Sequence, residues 1–330
     1  MKEKKDIKLS VIIPIYGVEK FIERCAISLF EQTLKDGIEF IFVNDCSPDG
    51  SLDILNRVVS KYPNRCHQIN IVSTPVNSGL AAARNLGFSH ARGTYIAHCD
   101  SDDMVSPIIY EKMLEKALAE DSDIVVCDYI GGYRYRNIPY HQPSPQDIME
   151  FKQMILDGRI HNGLWNKLIR RDLYDKLDFL WTDGVNMWED VSVLDRLVYF
   201  AQKVAYVHAP LYFYNQTNTA AYTKSRAISS AQQIERAYNI VNDFYEHVPD
   251  KEMWADSIIK FRQRALFTIL NRLPRTHRNE VINTFKVRPE DLIIPLTRPN
   301  KVLYNLYLSG KHRAADGFSK IISIIRSITR

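Results

Sequence analysis

The chain of 330 residues lacks the marks of membrane-spanning and disulfide-rich proteins. No apolar run approaches the ~18 to 20 residues that cross a bilayer, and Pro14 interrupts the apolar stretch near the first residue. We therefore expect no transmembrane helix and no signal peptide. The five cysteines are odd in number and form no C-x-x-C pair, which favours reduced thiols in a cytoplasmic protein over disulfides or a metal site.

Neither sign of charge predominates in the chain, because 43 Lys and Arg and 39 Asp and Glu give a net charge of only +4. This balance argues against a general nucleic-acid binder. The excess lies in residues 288–330, where eight basic residues accompany three acidic ones. The C-terminal part is therefore the basic part of the chain.

The last segment, 318–330, has the pattern of a basic amphipathic helix. Its apolar side chains share one predicted face, and they are Phe318, Ile321, Ile322, Ile325 and Ile328. Two interpretations stay open. The face lies on an anionic membrane surface, or it packs on the rest of the chain or on a second subunit of a homodimer.

Short β-branched runs alternate with helical patterns in the first part of the chain. We predict strands at 9–15, 38–43, 69–73, 94–98 and 123–127, and helices at 18–33, 50–61, 80–90 and 107–120. This alternation predicts an α/β fold with a mostly parallel sheet flanked by helices. Ligands of such sheets bind at the carboxyl ends of the strands.

The rhythm changes after the fifth predicted strand. Residues 129–147 are rich in Gly, Pro and aromatics, which predicts a hairpin or loop, and a second α/β-like region follows. From residue 224 the pattern is helical. We therefore expect an α/β domain at 1–223 and a helical region with a basic tail at 224–330.

Three acidic motifs follow predicted strands or begin a predicted helix. Asp45 ends the second strand, where its carboxylate can accept the imide N–H of a pyrimidine base, although a helix cap is the plainer alternative. Asp100, Asp102 and Asp103 follow the fourth strand. Carboxylates this close repel unless a cation neutralises them, so a hard ion such as Mg²⁺ or Mn²⁺ is favoured over a solvated turn.

The third motif is Glu189-Asp190, which follows Trp188 at the start of a predicted helix. A carboxylate beside an indole suits a general base that faces a sugar, because the indole packs against the C–H face of the ring. An acidic first turn that complements the helix dipole explains the same residues equally well. Spacing alone leaves both interpretations open.

Together with three further motifs, these segments resemble the family 2 glycosyltransferases. The matching segments occur in the order of that family and span about residues 8–215: Ser10–Tyr16, Val43–Ser51, Asn77–Gly87, Asp100–Asp103, Trp165–Arg170 and Glu189–Asp190. The ordered set is far more specific than any one motif. The resemblance implies a GT-A nucleotide-diphospho-sugar transferase fold for 1–223 and an inverting transfer of a sugar.

The resemblance also implies roles for individual residues. Those expected at the nucleotide-sugar donor are Pro14, Tyr16, Asp45, Asp100, Ser101 and Asp102. Asp102, assisted by Asp100, would ligate Mn²⁺ or Mg²⁺, and Asp190 would be the catalytic base. Those expected near the substrates are Trp188, Glu189, Lys167 and Arg170. Arg84 and Asn85 either support the nucleotide site or pack their helix, and packing is the favoured expectation.

The implied activity is transfer from a UDP-hexose or UDP-N-acetylhexosamine to a hydroxyl of a saccharide or lipid-linked saccharide. It belongs to surface polysaccharide assembly, in the cytoplasm or at the inner face of the cell membrane. Two rivals remain. A non-catalytic nucleotide-sugar binder of the same fold would fit Gly17 and Asn44, which depart from the family pattern. A Mg²⁺-dependent phosphatase is disfavoured, because its acidic motif would follow the first strand.

Overall fold

A computed structural model describes residues 6–224 and 227–329. Within these residues the strands are β1 (Leu9–Ile15), β2 (Ile38–Asn44), β3 (Ile69–Ser73), β4 (Tyr95–His98), β5 (Met104–Val105), β6 (Ile124–Gly132), β7 (Asn137–Tyr140), β8 (Lys167–Arg170) and β9 (Val204–Asn215). The first three strands begin at the residues predicted from the sequence, because each is a continuous apolar or β-branched run bounded by polar turns.

The helices alternate with these strands and then continue alone. They are α1 (Ile22–Phe30), α2 (Ser51–Ser60), α3 (Leu80–His90), α4 (Ile109–Glu120), α5 (Ile148–Leu156), α6 (Arg171–Tyr174), α7 (Glu189–Phe200), α8 (Ile228–His247), α9 (Ala255–Leu270), α10 (Arg275–Phe285), α11 (Arg298–Leu308) and α12 (His312–Thr329). Short 3₁₀ turns at 63–68, 222–224, 251–254 and 289–291 join some of them.

The strands form one mixed sheet of nine strands in the described part of the chain, with the order β3-β2-β1-β4-β8-β6-β9-β5 and with β7 paired to β6. Strands β3, β2, β1 and β4 are parallel. Strand β8 is antiparallel to both β4 and β6 and separates them. The predicted mostly parallel α/β fold is confirmed, and β6–β7 forms the expected hairpin.

Each face of the sheet is covered by its own helices. Ile13 of β1 belongs to the apolar cluster beneath α1, α2 and α4, while its neighbour Ile12 belongs to the cluster beneath α3, α5 and α7. This follows from the alternation of side chains along a strand. The helices therefore close both faces and leave the carboxyl edge of the parallel strands accessible.

The C-terminal helices pack on α5 and α7 through a third apolar cluster. Leu156 and Val191 from the α/β part join Ile234 of α8 and Phe261 of α9 in this cluster. Helix α12 contributes Phe318 and Ile322, which are packed against the cluster, whereas Ile321 and Ile325 are exposed.

The predicted apolar face of the tail is therefore divided between an inward and an outward side. The side chain of Ile328 lies outside the described residues. None of the described helices combines the length and apolarity that a bilayer span needs.

Candidate active site

A cavity of about 790 Å³ opens at the carboxyl edge of the parallel strands. The sheet order places the ends of β1, β2 and β4 side by side there, and the start of α7 faces them. Nine of the residues predicted to contact substrates line this cavity: Pro14, Tyr16, Asp45, Asp100, Ser101, Asp102, Trp188, Glu189 and Asp190. Residues far apart in sequence are thus brought to one site.

Asp45 organises the loop between β3 and α3. One carboxylate oxygen accepts hydrogen bonds from the Thr74 hydroxyl and the Ser78 N–H, both at 2.8 Å, and the other accepts from the Gly79 N–H at 2.8 Å. A carboxylate has about four acceptor positions, so one remains for a ligand. Asp45 therefore shapes this end of the cavity and retains one acceptor position.

The acidic turn after β4 divides into one structural and two cavity-lining carboxylates. Asp103 is buried and accepts hydrogen bonds from the Tyr212 hydroxyl and the Asn215 N–H, both at 2.7 Å. Asp102 lines the cavity and accepts from the Asn218 side chain at 2.8 Å. Burial raises the pKa of Asp102, and the negative charge of Asp100 raises it further.

The donor set of this turn fits a hard divalent ion. Two carboxylates, of Asp100 and Asp102, face the same cavity, where burial and the charge of Asp100 raise the pKa of Asp102. Mg²⁺ and Mn²⁺ prefer oxygen ligands and are often held by one or two carboxylates plus substrate phosphates. Within the described residues no cluster of three or more His, Cys, Asp and Glu forms a complete protein cage. The residues present therefore fit an ion that shares its ligands with a bound phosphate.

Arg84 of α3 links the two acidic motifs. Its guanidinium lies 3.0 Å from Asp100 and 3.4 Å from Glu189, and the side chain is buried. Burial alone would lower the pKa of Arg84, but the charges of Asp100, Glu189 and Asp190 outweigh it and raise the pKa. The expectation that Arg84 merely packs its helix is wrong, whereas Asn85 does pack by binding the Trp181 carbonyl.

The first turn of α7 presents Glu189 and Asp190 to the cavity. Burial raises the pKa of Glu189 to about 8, and the charge of Asp190 adds to this. Burial also raises the pKa of Asp190, against the opposing charge of Arg84. Asp190 accepts a hydrogen bond from the Val191 N–H at 2.8 Å, which holds its carboxylate at the positive end of the helix dipole. A carboxylate with a raised pKa in a cavity is suited to accept a proton.

The model of the family described as "Glycosyl transferase family 2" matches residues 10–178. The chain belongs to this family. EpsH, a protein of Bacillus subtilis (strain 168) provisionally named a glycosyltransferase, is 34% identical over 215 residues, which are 62% of this chain and 60% of EpsH. EpsJ, an uncharacterized glycosyltransferase of the same strain, is 30% identical over 249 residues, covering 72% of this chain and 70% of EpsJ.

Solved structures extend the likeness of this glycosyltransferase to the C-terminal helices. S. aureus TarS 1–349 superposes with a TM-score of 0.64 at 15% identity, over 95% of this chain and 90% of TarS. TarS 1–349 in complex with UDP-GlcNAc gives 0.57 at 17% identity over 95% and 90%. The mannosyltransferase PcManGT from Pyrobaculum calidifontis, with GDP-Man and Mn²⁺, gives 0.52 at 14% identity over 93% and 86%. These likenesses establish the GT-A fold.

Two residues predicted to approach the substrates of the glycosyltransferase are absent from the cavity lining. Arg170 pairs with Tyr95 at the opposite edge of the sheet and makes ion pairs with Asp121 and Asp123. Because the carboxyl end of β4 is the end at the cavity, Arg170 is remote from it, and its predicted role is wrong.

Lys167 lies behind the cavity surface rather than on it. Its ammonium group donates to the carbonyls of His161 at 2.6 Å and Gly163 at 2.8 Å, and to the Asn166 side chain at 2.8 Å. All three of its N–H donors are therefore used within the protein. Burial lowers the pKa of Lys167 to about 7. Lys167 supports the 161–163 segment, which lines the cavity, and the structure does not bear out a direct substrate contact.

Sequence reasoning missed several residues that shape the site. Asn186 lines the cavity and accepts a hydrogen bond from the Ala81 N–H at 2.9 Å, so it caps α3 from a distant segment. Arg264 and Arg272 of the C-terminal region also line the cavity. Of these residues, only Arg84 could have been identified from the sequence. It lies among small residues of a helix predicted to be buried, and a buried arginine needs carboxylate partners.

Proposed function

We propose that the protein is a metal-dependent, inverting glycosyltransferase that uses a UDP-hexose or UDP-N-acetylhexosamine as donor. The observation that carries the proposal is the meeting of three acidic groups in one cavity: Asp45, the Asp100–Asp102 pair and the Glu189–Asp190 pair. Arg84 joins the second and third of these groups through its ion pairs with Asp100 and Glu189. Donor binding and proton removal would thus be coupled by a buried guanidinium.

The donor would lie along the carboxyl edge of the sheet. Pro14, Tyr16 and the remaining acceptor position of Asp45 would contact the base, and Ser101 would lie near the ribose or diphosphate. Asp102 and Asp100 would hold Mn²⁺ or Mg²⁺. When bound, the ion neutralises the diphosphate and so eases its departure. The UDP-GlcNAc complex of TarS and the Mn²⁺ complex of PcManGT, both of this fold, support this choice of donor and ion.

Asp190 would act as the base. It would take the proton from an acceptor hydroxyl while the oxygen forms a bond to the anomeric carbon and the bond from that carbon to the diphosphate breaks. A single in-line displacement inverts the anomeric configuration. Burial raises the pKa of both carboxyl groups of the pair, and the charge of Arg84, 3.4 Å from Glu189, opposes the rise. The indole of Trp188 would pack against the acceptor ring.

The acceptor would be a saccharide or a lipid-linked saccharide in the assembly of a surface polymer, handled in the cytoplasm or at the inner face of the cell membrane. A relative named "Minor teichoic acid biosynthesis protein GgaB" from Bacillus subtilis (strain 168) supports this class, at 42% identity over 107 residues, which are 32% of this chain and 11% of GgaB. The exposed Ile321 and Ile325 beside Lys320 on α12 support contact with an anionic membrane.

The substitution Asp190→Asn tests the proposed function. Removal of the base should lower kcat by roughly 10² to 10⁴. Binding of UDP with Mn²⁺, measured by calorimetry, should stay within about threefold of wild type, because Asp190 acts on the acceptor. Turnover is measured with a panel of UDP-sugars and Mn²⁺, with and without saccharide acceptors.

The matched control is Asp183→Asn, an exposed carboxylate in the segment before α7, which should leave both quantities unchanged. Wild-type kcat in Asp190→Asn would refute the role of Asp190. No binding of any UDP-sugar by the wild-type protein would refute the donor class.

A further inference from the structure

The turn that carries the proposed base has a strained backbone. Trp188, the residue before α7, has φ 66° and ψ 24°, the left-handed region that L-residues with bulky side chains rarely adopt. Such conformations cost about 1 to 3 kcal/mol and persist only when surrounding contacts hold them. Within the described residues, the side chain of Trp188, at the N-cap position, makes no hydrogen bond that caps α7. Other contacts must therefore maintain the turn.

Gln233 of α8 accepts hydrogen bonds from the N–H groups of Asn186 and Met187 at 2.9 and 3.0 Å, and α9, in the C-terminal helical region, contacts the Trp188 ring itself. The ring of Phe261 lies roughly parallel to the Trp188 ring with centroids 6.1 Å apart. The guanidinium carbon of Arg264 lies 4.9 Å from the centroid of the Trp188 ring and 5.2 Å from that of Phe261. Residues three apart share one face of a helix, so a single face of α9 contacts the indole. A guanidinium beside an aromatic face is attractive, and more so when desolvated.

Arg264 is itself fixed from the opposite side. One of its terminal nitrogens donates to the carbonyls of Ile155 at 2.9 Å and Leu156 at 3.0 Å and to the Asn162 side chain at 3.0 Å. The two carbonyls are at the C-terminal end of α5, where the helix dipole favours a cation. The other terminal nitrogen lies 3.7 Å from Asp195 of α7. Arg264 therefore joins α5, α7 and α9 at the wall of the cavity.

Gly158, which follows α5, lies against the Arg264 side chain. Gly158 has φ +78°, and a Cβ at this position would lie 2.9 Å from the Arg264 side chain. A glycine is thus required twice over, by its backbone conformation and by the approach of Arg264. The close approach leaves no room for a side chain between residue 158 and Arg264.

We propose that Arg264 is a positioning residue: together with Phe261 it holds Trp188 in its left-handed conformation and so aims Asp190 into the cavity. The proposal deepens the proposed function, because it rests on Asp190 as the base. It makes α9 a part of the active site, since a residue outside the 10–178 family match maintains the catalytic turn. Arg264 acts through Trp188 and need not contact either substrate.

The test compares Arg264→Met and Arg264→Lys with Arg262→Met. Arg262 lies on the same helix but donates to the Tyr238 hydroxyl and does not line the cavity. Arg264→Met should lower kcat roughly ten- to a hundredfold, because small displacements of a catalytic group are costly. The Kd of UDP with Mn²⁺ should stay within about threefold, and Arg264→Lys, which keeps the cation beside the indole, should recover part of the rate. Arg262→Met should match wild type.

A second readout needs no turnover. The fluorescence of Trp188 is obtained as the difference between each protein and the same protein with Trp188→Phe. In Arg264→Met this difference spectrum should shift to the red and become more accessible to acrylamide, while Arg262→Met leaves it unchanged. If Arg264→Met does not fold, the same measurements on Arg264→Lys decide the question.

An unchanged Trp188 spectrum, or wild-type kcat in a folded Arg264→Met protein, would overturn the proposal and leave the proposed function standing. Failure of the proposed function is seen separately, as wild-type turnover in Asp190→Asn, and the Trp188 spectrum would then still report whether Arg264 holds the turn.

Discussion

At the scale of single residues, Gly79 shows how closely the end of the cavity near Asp45 is packed. It has φ +88°, donates its N–H to Asp45 and begins α3. A Cβ at this position would lie 2.4 Å from the amide nitrogen of Asn186, whose oxygen caps α3. Gly79 thus joins the loop that Asp45 organises to the segment that leads to the catalytic turn.

We expect Gly79→Ala to destabilise the protein by about 1 to 3 kcal/mol, because the left-handed conformation is strained for alanine. The displaced Asn186 should also weaken binding of UDP with Mn²⁺. Chemical unfolding and calorimetry measure the two effects. Gly317→Ala is the matched control, since Gly317 lies within α12, a Cβ there would meet no described atom within 4 Å, and alanine favours helices. Equal stability of the two variants would contradict this account.

Asp195 gives the protein a pH-dependent component of stability. Burial raises its pKa to about 7 from an ordinary value of 3.8, against the charge of Arg264. The native carboxyl group therefore keeps its proton at pH values where the unfolded chain has lost it. The stabilisation is fully present below about pH 4 and is lost as the pH rises through about 7.

We expect the contribution of Asp195 to the free energy of unfolding to fall between about pH 4 and pH 7, by about 1 kcal/mol per pH unit. Asp195→Asn removes this titration, so its curve should be shallower over the same range. Urea unfolding at a series of pH values measures both slopes. Parallel curves for the two proteins would show that Asp195 ionises normally in the native state.

At the scale of elements, β8 differs from the elements whose bounds were predicted correctly from the sequence. Strands β1 and β3 and helix α3 have the predicted bounds because their apolar patterns are local. Strand β8 has only four residues, and its strand conformation depends on hydrogen bonding to β4 and β6, its neighbours on either side. No local pattern reveals such pairing, so the roles of Lys167 and Arg170 could not be assigned from the sequence.

The two ends of β8 should respond differently to substitution. Lys167→Met removes two hydrogen bonds that support the 161–163 segment of the cavity and a third to Asn166, so we expect kcat to fall at least about tenfold. Arg170→Met removes ion pairs at the remote edge and should cost at most about 1 kcal/mol of stability without changing kcat. Steady-state kinetics and thermal unfolding distinguish the ends. A larger loss of kcat in Arg170→Met would reverse the assignment.

The acidic motifs show the same division between local and non-local information. Asp45, Asp102 and Asp190 were found because each follows a strand or begins a helix in a recognisable segment. Their partners lie far away in sequence: Asn218 contacts Asp102, and Arg84 contacts both Asp100 and Glu189. Sequence motifs thus identify the acidic residues of the site, whereas the fold determines which basic and polar residues contact them.

At the scale of the whole molecule, the C-terminal helices are bound to the α/β part by a common core. Leu156 and Val191 share an apolar cluster with Phe261 and Leu266 of α9. The residues before and after the predicted boundary between 223 and 224 therefore share one apolar core. The basic tail is held on this body, because Asp316 of α12 makes ion pairs with Arg275 and Arg278 of α10.

This anchoring favours a particular design for a test of membrane contact. Deletion of residues 318–330 would also remove Phe318 and Ile322, which pack against the core. The double substitution Ile321→Glu and Ile325→Glu instead changes two side chains that are each 54% exposed. If α12 lies on an anionic bilayer, we expect the double variant to lose sedimentation with phosphatidylglycerol vesicles while its thermal stability stays near wild type.

Leu118→Glu is the matched control, because Leu118 is 53% exposed on α4 of the α/β part. It changes an exposed leucine to the same acidic residue and should leave vesicle binding intact. Equal sedimentation of the wild type and the double variant would refute membrane contact through this face. Loss of a homodimer in the double variant, seen by light scattering without vesicles, would instead assign Ile321 and Ile325 to a subunit interface. Because Ile321 and Ile325 are exposed while Phe318 and Ile322 pack inward, these experiments distinguish membrane contact from contact with a second subunit.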